Sequence, residues 1–251
     1  MAEHVNLLWT GGWDSTLRLL QLLLIEKKRV QPHYIMIGAR KSTPNEIEAM
    51  NRIRQYLFIN YPHVKKLLLE TFYIDDSILE ENDTIQEAFR VLETQNHIGD
   101  QYEILARFSK QYRHDDLELC IEDGNFSKNF VQPYLYTNNC VSEPVNKIKS
   151  EITPEPIRHI FSGYRFPVIK FSKDEMDRYV KERQWMDIMR MTWMCHRPIL
   201  GRYPCGACNP CMFVRKDGMG WRIPFPQRIL GGLIKKVYNS SITIKFRNLF
   251  K

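Results

Sequence analysis

The sequence predicts an α/β domain built on a parallel sheet, and three observations predict it. Short apolar runs alternate with stretches of helical periodicity, the first apolar run ends on a glycine pair that opens a helix, and 251 residues suit one large α/β domain with a small appendage.

Taken in order, residues 5–9 form a short apolar strand that stops at Thr10-Gly11-Gly12. Leu17, Leu20 and Leu24 then share one face of a helix ending near Glu26. A strand over 33–37 ends at Gly38, and Ile47, Met50, Ile53 and Leu57 mark a helix over 45–60. A third strand is expected over 64–70. Strands alternating with helices in this way pair in parallel, the helices serving as crossovers. A helix over 102–112 precedes a strand over 117–121. Residues 122–163 hold Pro144, Pro154 and Pro156 and little periodicity, so an irregular, substrate-covering segment is expected there. A strand over 166–171 follows. Ser172 then caps a helix reaching about Gln184, with Glu175 completing a capping box.

Composition narrows the function classes. Hydrophobic residues make up 43% of the chain, enough for an ordinary core. The richest apolar run, residues 19–25, is too short to cross a bilayer and ends in Glu26-Lys27-Lys28-Arg29. Met1-Ala2-Glu3-His4 lacks the features of a signal peptide, so a soluble cytoplasmic protein is expected. A net charge of +7 and a pI of about 9.0 favour acidic partners such as nucleotides, pyrophosphate or nucleic acid. Lys235, Lys236, Lys245, Arg247 and Lys251 make the tail basic. A solvated segment or a partner contact is the favoured reading of that tail over nucleic-acid binding.

Thr10-Gly11-Gly12-Trp13-Asp14-Ser15-Thr16 lies between strand and helix. Two glycines let the backbone approach a ligand closely, and the free N–H groups of the helix start favour an anion. Ser15 and Thr16 add hydroxyl donors, while Asp14 suits a bound Mg²⁺ better than a direct phosphate contact. The alternative is a plain strand-to-helix turn capped by Asp14 or Ser15. A Walker A loop would need a Gly-Lys pair that is absent here.

Cys195, Cys205, Cys208 and Cys211 form the pattern C-x₉-C-x₂-C-x₂-C. Four thiolates complete the tetrahedral shell of Zn²⁺ and leave no open position, so the metal is expected to be structural. An iron–sulfur cluster and redox or sulfur-carrying cysteines are the competing readings. The chain divides on this basis into 1–190 and a metal-binding segment with basic tail, 191–251.

The glycine string resembles the Ser-Gly-Gly-x-Asp-Ser motif of PP-loop ATP pyrophosphatases, a Rossmann-like fold of the adenine nucleotide alpha hydrolase type, with Thr10 in place of serine. Together with the cysteine pattern, Phe166-Pro167-Val168-Ile169-Lys170-Phe171-Ser172-Lys173-Asp174-Glu175 and Thr192-Trp193-Met194-Cys195, it resembles the 7-cyano-7-deazaguanine synthases. That resemblance implies ATP and Mg²⁺ as cofactors beside Zn²⁺, and a 7-carboxy-7-deazaguanine substrate whose carboxylate is adenylated and passed to ammonia, giving amide and then nitrile. It implies Thr10, Gly11, Gly12, Asp14, Ser15 and Thr16 as the phosphate and Mg²⁺ cradle, with Lys173 near the reacting phosphates. By analogy with PP-loop folds, Ile37, Gly38 and Arg40 lie near the nucleotide. The family's Pro-Gly-Arg-Asn stretch is here Ile98-Gly99-Asp100-Gln101, and Leu119 to Gly124 replaces its usual Thr-Gly. Three readings stay open beside synthase activity: a divergent relative joining the activated deazaguanine to an acceptor protein, as in antiviral operons; a PP-loop tRNA-modifying enzyme using Cys120 or Cys140; and a nucleotide-binding module without catalysis. A homodimer is compatible with each.

Overall fold

The computed structural model describes residues 4–38, 40–138 and 145–238, with the backbone alone described at 137, 138, 145 and 232–238. Its frame is a five-stranded sheet in the order β3-β2-β1-β4-β7. The strands are β1 (Val5–Leu8), β2 (Val30–Met36), β3 (Phe72–Asp75), β4 (Leu117–Glu118) and β7 (Tyr164–Arg165). Every neighbouring pair runs parallel, beginning with Val5 opposite Val30. The chain moves outward from β1 to β2 and β3, then crosses to the other side of β1 for β4 and β7. The sheet therefore reverses direction between β1 and β4, the place where such sheets open a crevice beyond their carboxyl ends.

Parallel sheets need both faces covered, and the side-chain alternation of β1 shows how this is met. Leu7 belongs to one apolar cluster, with α1 (Trp13–Leu20), α2 (Thr43–Asn60), α7 (Lys173–Glu182) and α8 (Met186–Met189). Its neighbour Leu8 belongs to the other, with α3 (Asp83–Gln95), α4 (Gln101–Gln111) and α6 (Glu155–Phe161). Ala49, Met50, Ile53 and Leu57 bury the inner face of α2. Below α1 the helix widens, and the Glu26 amide reaches back to the Gln21 carbonyl. The Ser172–Glu175 capping box is present at the start of α7.

Four sequence expectations need correction. Residues 64–70 are not a strand: Pro62–Lys66 is a tight helical turn, Leu68 makes one bridge to Val30, and the third strand lies later, at Phe72–Asp75. The strand expected over 166–171 is β7, at Tyr164–Arg165; Pro167 has no N–H to donate, and 167–170 form turns. The strand over 117–121 shortens to Leu117–Glu118. The irregular stretch 122–163 holds α5 (Lys128–Val131), the antiparallel hairpin β5 (Leu135–Asn138) with β6 (Val145–Ile148), and α6. Cys140 and Pro144 lie outside the described residues, as does the tail beyond Tyr238.

The cysteine segment holds α9 (Asn209–Lys216) and is followed by α10 (Phe225–Tyr238). Cys195, Cys205 and Cys211 belong to the same apolar cluster as Leu7 and Leu17. Among the described residues no helix is long and apolar enough to cross a membrane.

On the face of β2 away from α1, His33 is 5% exposed. Its ring meets Phe72, Phe108 and His114. One ring nitrogen pairs with Asn6 at 2.9 Å, and Nδ1 has no partner among the described residues.

Candidate functional site

The glycine turn lies at the carboxyl end of β1. Gly11 has φ of +66°, and a Cβ there would approach the Glu46 carbonyl to 3.0 Å and Met50 Cγ to 3.1 Å. Gly12 is extended and precedes α1, so the first amides of the helix have no intrahelical acceptor. Trp9 Nε1 donates to Thr16 Oγ1 at 3.1 Å, fixing the first helical turn to the end of the strand. The Thr10 amide lies 3.5 Å from Ser15 Oγ. Both Ser15 and Thr16 are buried.

Asp14 and Lys173, 159 positions apart, form an ion pair at the mouth of this turn. Lys173 is the first residue of α7, and the capping box at Ser172 sets the direction in which that helix leaves. The chain beyond the carboxyl end of β4 brings further acids near this pair. Glu122 is buried, which raises its pKa; Lys173 and the Gly124 amide, at 2.5 Å, oppose the shift. Asp217, at the end of α9, is raised for the same first reason and feels Lys173 and Asp14 as well. Asp123, by contrast, turns to Lys128. The Cys120 thiol is pushed well up by burial and then by Glu118 and Asp14, so it stays protonated at neutral pH.

Of the residues expected after β2, Gly38 donates its amide to Asp76 at 3.1 Å, and Ile37 accepts from the Arg40 amide at 2.8 Å. The Arg40 guanidinium reaches Gln101 at 3.1 Å and Glu46 at 3.8 Å. Glu46 also accepts from Tyr34 and Ser42, so Arg40 is anchored on a buried carboxylate rather than left loose at the surface. Gln101, a position where the sequence departs from the synthase pattern, thus has a defined partner.

The four cysteines converge. Their sulfurs lie within 4.8 Å of one another, 3.8 Å for Cys195–Cys208 and 4.0 Å for Cys205–Cys211. A metal–sulfur bond of about 2.3 Å in a tetrahedron places sulfurs ~3.8 Å apart, so the set fits one ion such as zinc. An iron–sulfur cluster spreads its thiolates over several irons and needs a wider set. Amides of Cys205 and Cys208 donate to Cys195 and Cys205 sulfurs, each at 3.2 Å. Hydrogen bonding with Cys195 and Cys208, then burial, raises the Cys211 thiol; a bound cation would remove the crowding of charge.

The cysteine loop touches the glycine turn. The Trp193 amide donates to the Gly11 carbonyl at 2.9 Å, and Trp193 Nε1 donates to the Cys195 carbonyl at 2.7 Å. Arg222 lies against the ring of Trp13 at 5.1 Å and donates to Thr192 Oγ1 at 2.8 Å. Burial lowers its pKa to about 10, with Asp14 pulling the other way. Sequence reading left out Arg222 and Asp217 and could not assign Glu122, since each acquires its meaning from neighbours distant in the chain. The Trp193 backbone link carries no side-chain signal at all.

No protein-family model matches the chain, and no curated protein gives a significant match to it.

Proposed function

We propose that the chain is a PP-loop ATP pyrophosphatase that adenylates a carboxylate of the 7-carboxy-7-deazaguanine class. The observation that carries the reading is the Gly11-Gly12 turn at the reversal point of a parallel sheet, with Asp14 held by Lys173 at its mouth. A carboxylate is a poor electrophile. Attack of its oxygen on the α-phosphorus, with release of pyrophosphate, turns that oxygen into part of a leaving group an amine can displace. The protein's task is then positioning and charge stabilisation. The first amides of α1 and the Ser15 hydroxyl suit the pyrophosphate, and Lys173 suits the charge that develops on it. Asp14 would hold Mg²⁺, which when bound neutralises phosphate charge.

Ammonia and an acceptor-protein amine remain rival second substrates. Sulfur transfer to tRNA through Cys120 is the weaker alternative, because that thiol is held protonated. The test is pyrophosphate release from ATP, Mg²⁺ and 7-carboxy-7-deazaguanine, with and without ammonium, products read by mass spectrometry. Nitrile identifies a synthase. Adenylate or amide alone identifies a transferase. No substrate-dependent release, or undiminished release by folded Asp14→Ala, removes the reading.

A further inference from the structure

Arg222 is a half-buried arginine that differs from Arg18 and Arg107 in its partners. Arg18 takes both oxygens of Glu118, at 2.7 and 2.8 Å, and Arg107 takes Glu103 at 2.7 Å. Arg222 has no carboxylate within ion-pair distance among the described residues. Its one bonded nitrogen, Nη2, donates to Thr192 Oγ1 at 2.8 Å and to the Thr192 carbonyl at 3.4 Å. Nε and Nη1 have no acceptor among those residues. The residue is half-buried, and these two nitrogens are not sealed from solvent, so an incoming anion can reach them.

Its supports are those of the glycine turn. The guanidinium stacks on Trp13, the residue between Gly12 and Asp14. Thr192 precedes Trp193, whose amide holds the Gly11 carbonyl. Trp13 is 4% exposed, and its Nε1 also lacks a partner among the described residues. Trp221 meets the Trp13 ring edge-on at 6.3 Å, and Arg190 covers Trp221 at 5.9 Å. A planar guanidinium fixed in this way presents its remaining N–H groups as a rigid fork, the geometry that phosphate and carboxylate oxygens fit.

We infer that Arg222, held on Trp13 and Thr192, is a receptor for an oxyanion of the ligand bound at the Gly11-Gly12 turn, supplied by the phosphates of ATP or by the substrate carboxylate. The naming of these two sources rests on the proposed adenylating reading; the placing of Arg222 against Trp13 and Thr192 does not.

The test compares wild type, Arg222→Met and Arg222→Lys. Affinities for inorganic pyrophosphate, ATP and 7-carboxy-7-deazaguanine are measured by calorimetry on metal-loaded protein, with thermal melts alongside. Without ligand, Arg222→Met should melt within a few degrees of wild type, because it breaks no ion pair and loses only the Thr192 hydrogen bonds and the stacking on Trp13. It should lose roughly ten- to a hundredfold in affinity for the anion Arg222 receives, the range of a charged hydrogen-bonding partner. Arg222→Lys should fall between. Loss confined to pyrophosphate and ATP names the phosphates; loss confined to the deazaguanine names the carboxylate. Unchanged affinity for all three in folded Arg222→Met overturns the inference, as does a wild type that binds none of them at millimolar concentration. If Arg222→Met does not fold, unchanged affinities in Arg222→Lys overturn it. Binding of pyrophosphate that depends on Arg222, without ATP-dependent pyrophosphate release, keeps the receptor and removes the adenylating reading. ATP turnover indifferent to Arg222 does the reverse.

Discussion

Replacing each glycine of the turn with alanine should separate stability from ligand binding. At Gly11 the backbone has φ of +66°, and the added methyl carbon would stand 3.0 Å from the Glu46 carbonyl, 3.1 Å from Met50 Cγ and 3.3 Å from Ala49 Cβ. The left-handed conformation costs a non-glycine residue about 1–2 kcal/mol, and overpacking adds about 1–3 kcal/mol. Gly11→Ala should therefore lose roughly 2–5 kcal/mol. For a chain of this size that is a melting-temperature drop on the order of 10 °C. Gly12 is different, with φ of −78° and ψ of 170°, a conformation any residue adopts. Its added carbon meets only the Thr10 hydroxyl at 3.2 Å and the Trp193 carbonyl at 3.8 Å. Gly12→Ala should stay within about 1 kcal/mol of wild type, helped by the reduced entropy of its unfolded chain. Its methyl would press on the Thr10 hydroxyl within the turn, so pyrophosphate release should fall by at least ~10-fold, as small misplacements do in reactions governed by positioning. Urea melts and the release assay read the two effects separately. A Gly11→Ala variant melting within a degree of wild type, or a Gly12→Ala variant equally destabilised, would refute the reasoning.

The remaining expectations are briefer. Cys208→Ser should lower metal content and melting temperature together, because a structural ion contributes folding free energy; normal stability after metal loss would end the structural role. Lys173→Met should change stability by less than ~1 kcal/mol, since its ion pair with Asp14 is partly exposed. The same variant should lose pyrophosphate release, and full activity would remove Lys173 from the chemistry. Burial, then repulsion from His114, lowers His33 to about 4. The unfolded chain takes up that proton from pH ~6.5 downward while the folded chain refuses it, so stability should fall as pH drops from 6.5 towards 4. The loss approaches ~3 kcal/mol, at about 1.4 kcal/mol per unit. Chemical denaturation across that window should show a shallower slope in His33→Phe, and an unchanged slope would count against the assignment.

Local signals were legible in the sequence, and tertiary ones were not. The capping box at Ser172 and Glu175 lies within four consecutive residues, and the apolar face of α2 repeats at helical spacing, so both are read without knowing the fold. The cysteine cluster is equally local, since most of its ligands fall within one short loop. The third strand was misplaced because apolar density is a poor guide at a sheet edge. Val64 and Leu68 are buried beneath a helical turn, whereas Phe72 and Tyr73 of the real strand stay partly exposed. Helix α3 was passed over although Ile85, Ala88 and Leu92 share its inner face and the Asn82 side chain accepts from the Ile85 amide. That signal was present. The acids near the ion pair are another matter: Glu122 and Asp217 look like ordinary surface acids until β4 and α9 bring them beside Lys173. Nothing near Arg222 in sequence announces Trp13, which stacks on it from the other end of the chain.

The pairing of Asp14 with Lys173 spans 159 positions, and it has a consequence for the chain as it is made. At roughly 5–20 residues per second, a ribosome that has delivered Asp14 needs on the order of ten seconds or more to deliver its partner. The loop that holds the Gly11 carbonyl through Trp193 emerges later still. During that interval the sheet's first strands can pair while the turn between them has neither its counter-ion nor its backbone clamp. The candidate site is thus completed late in synthesis, once residues 173–193 have emerged and docked against the first strands.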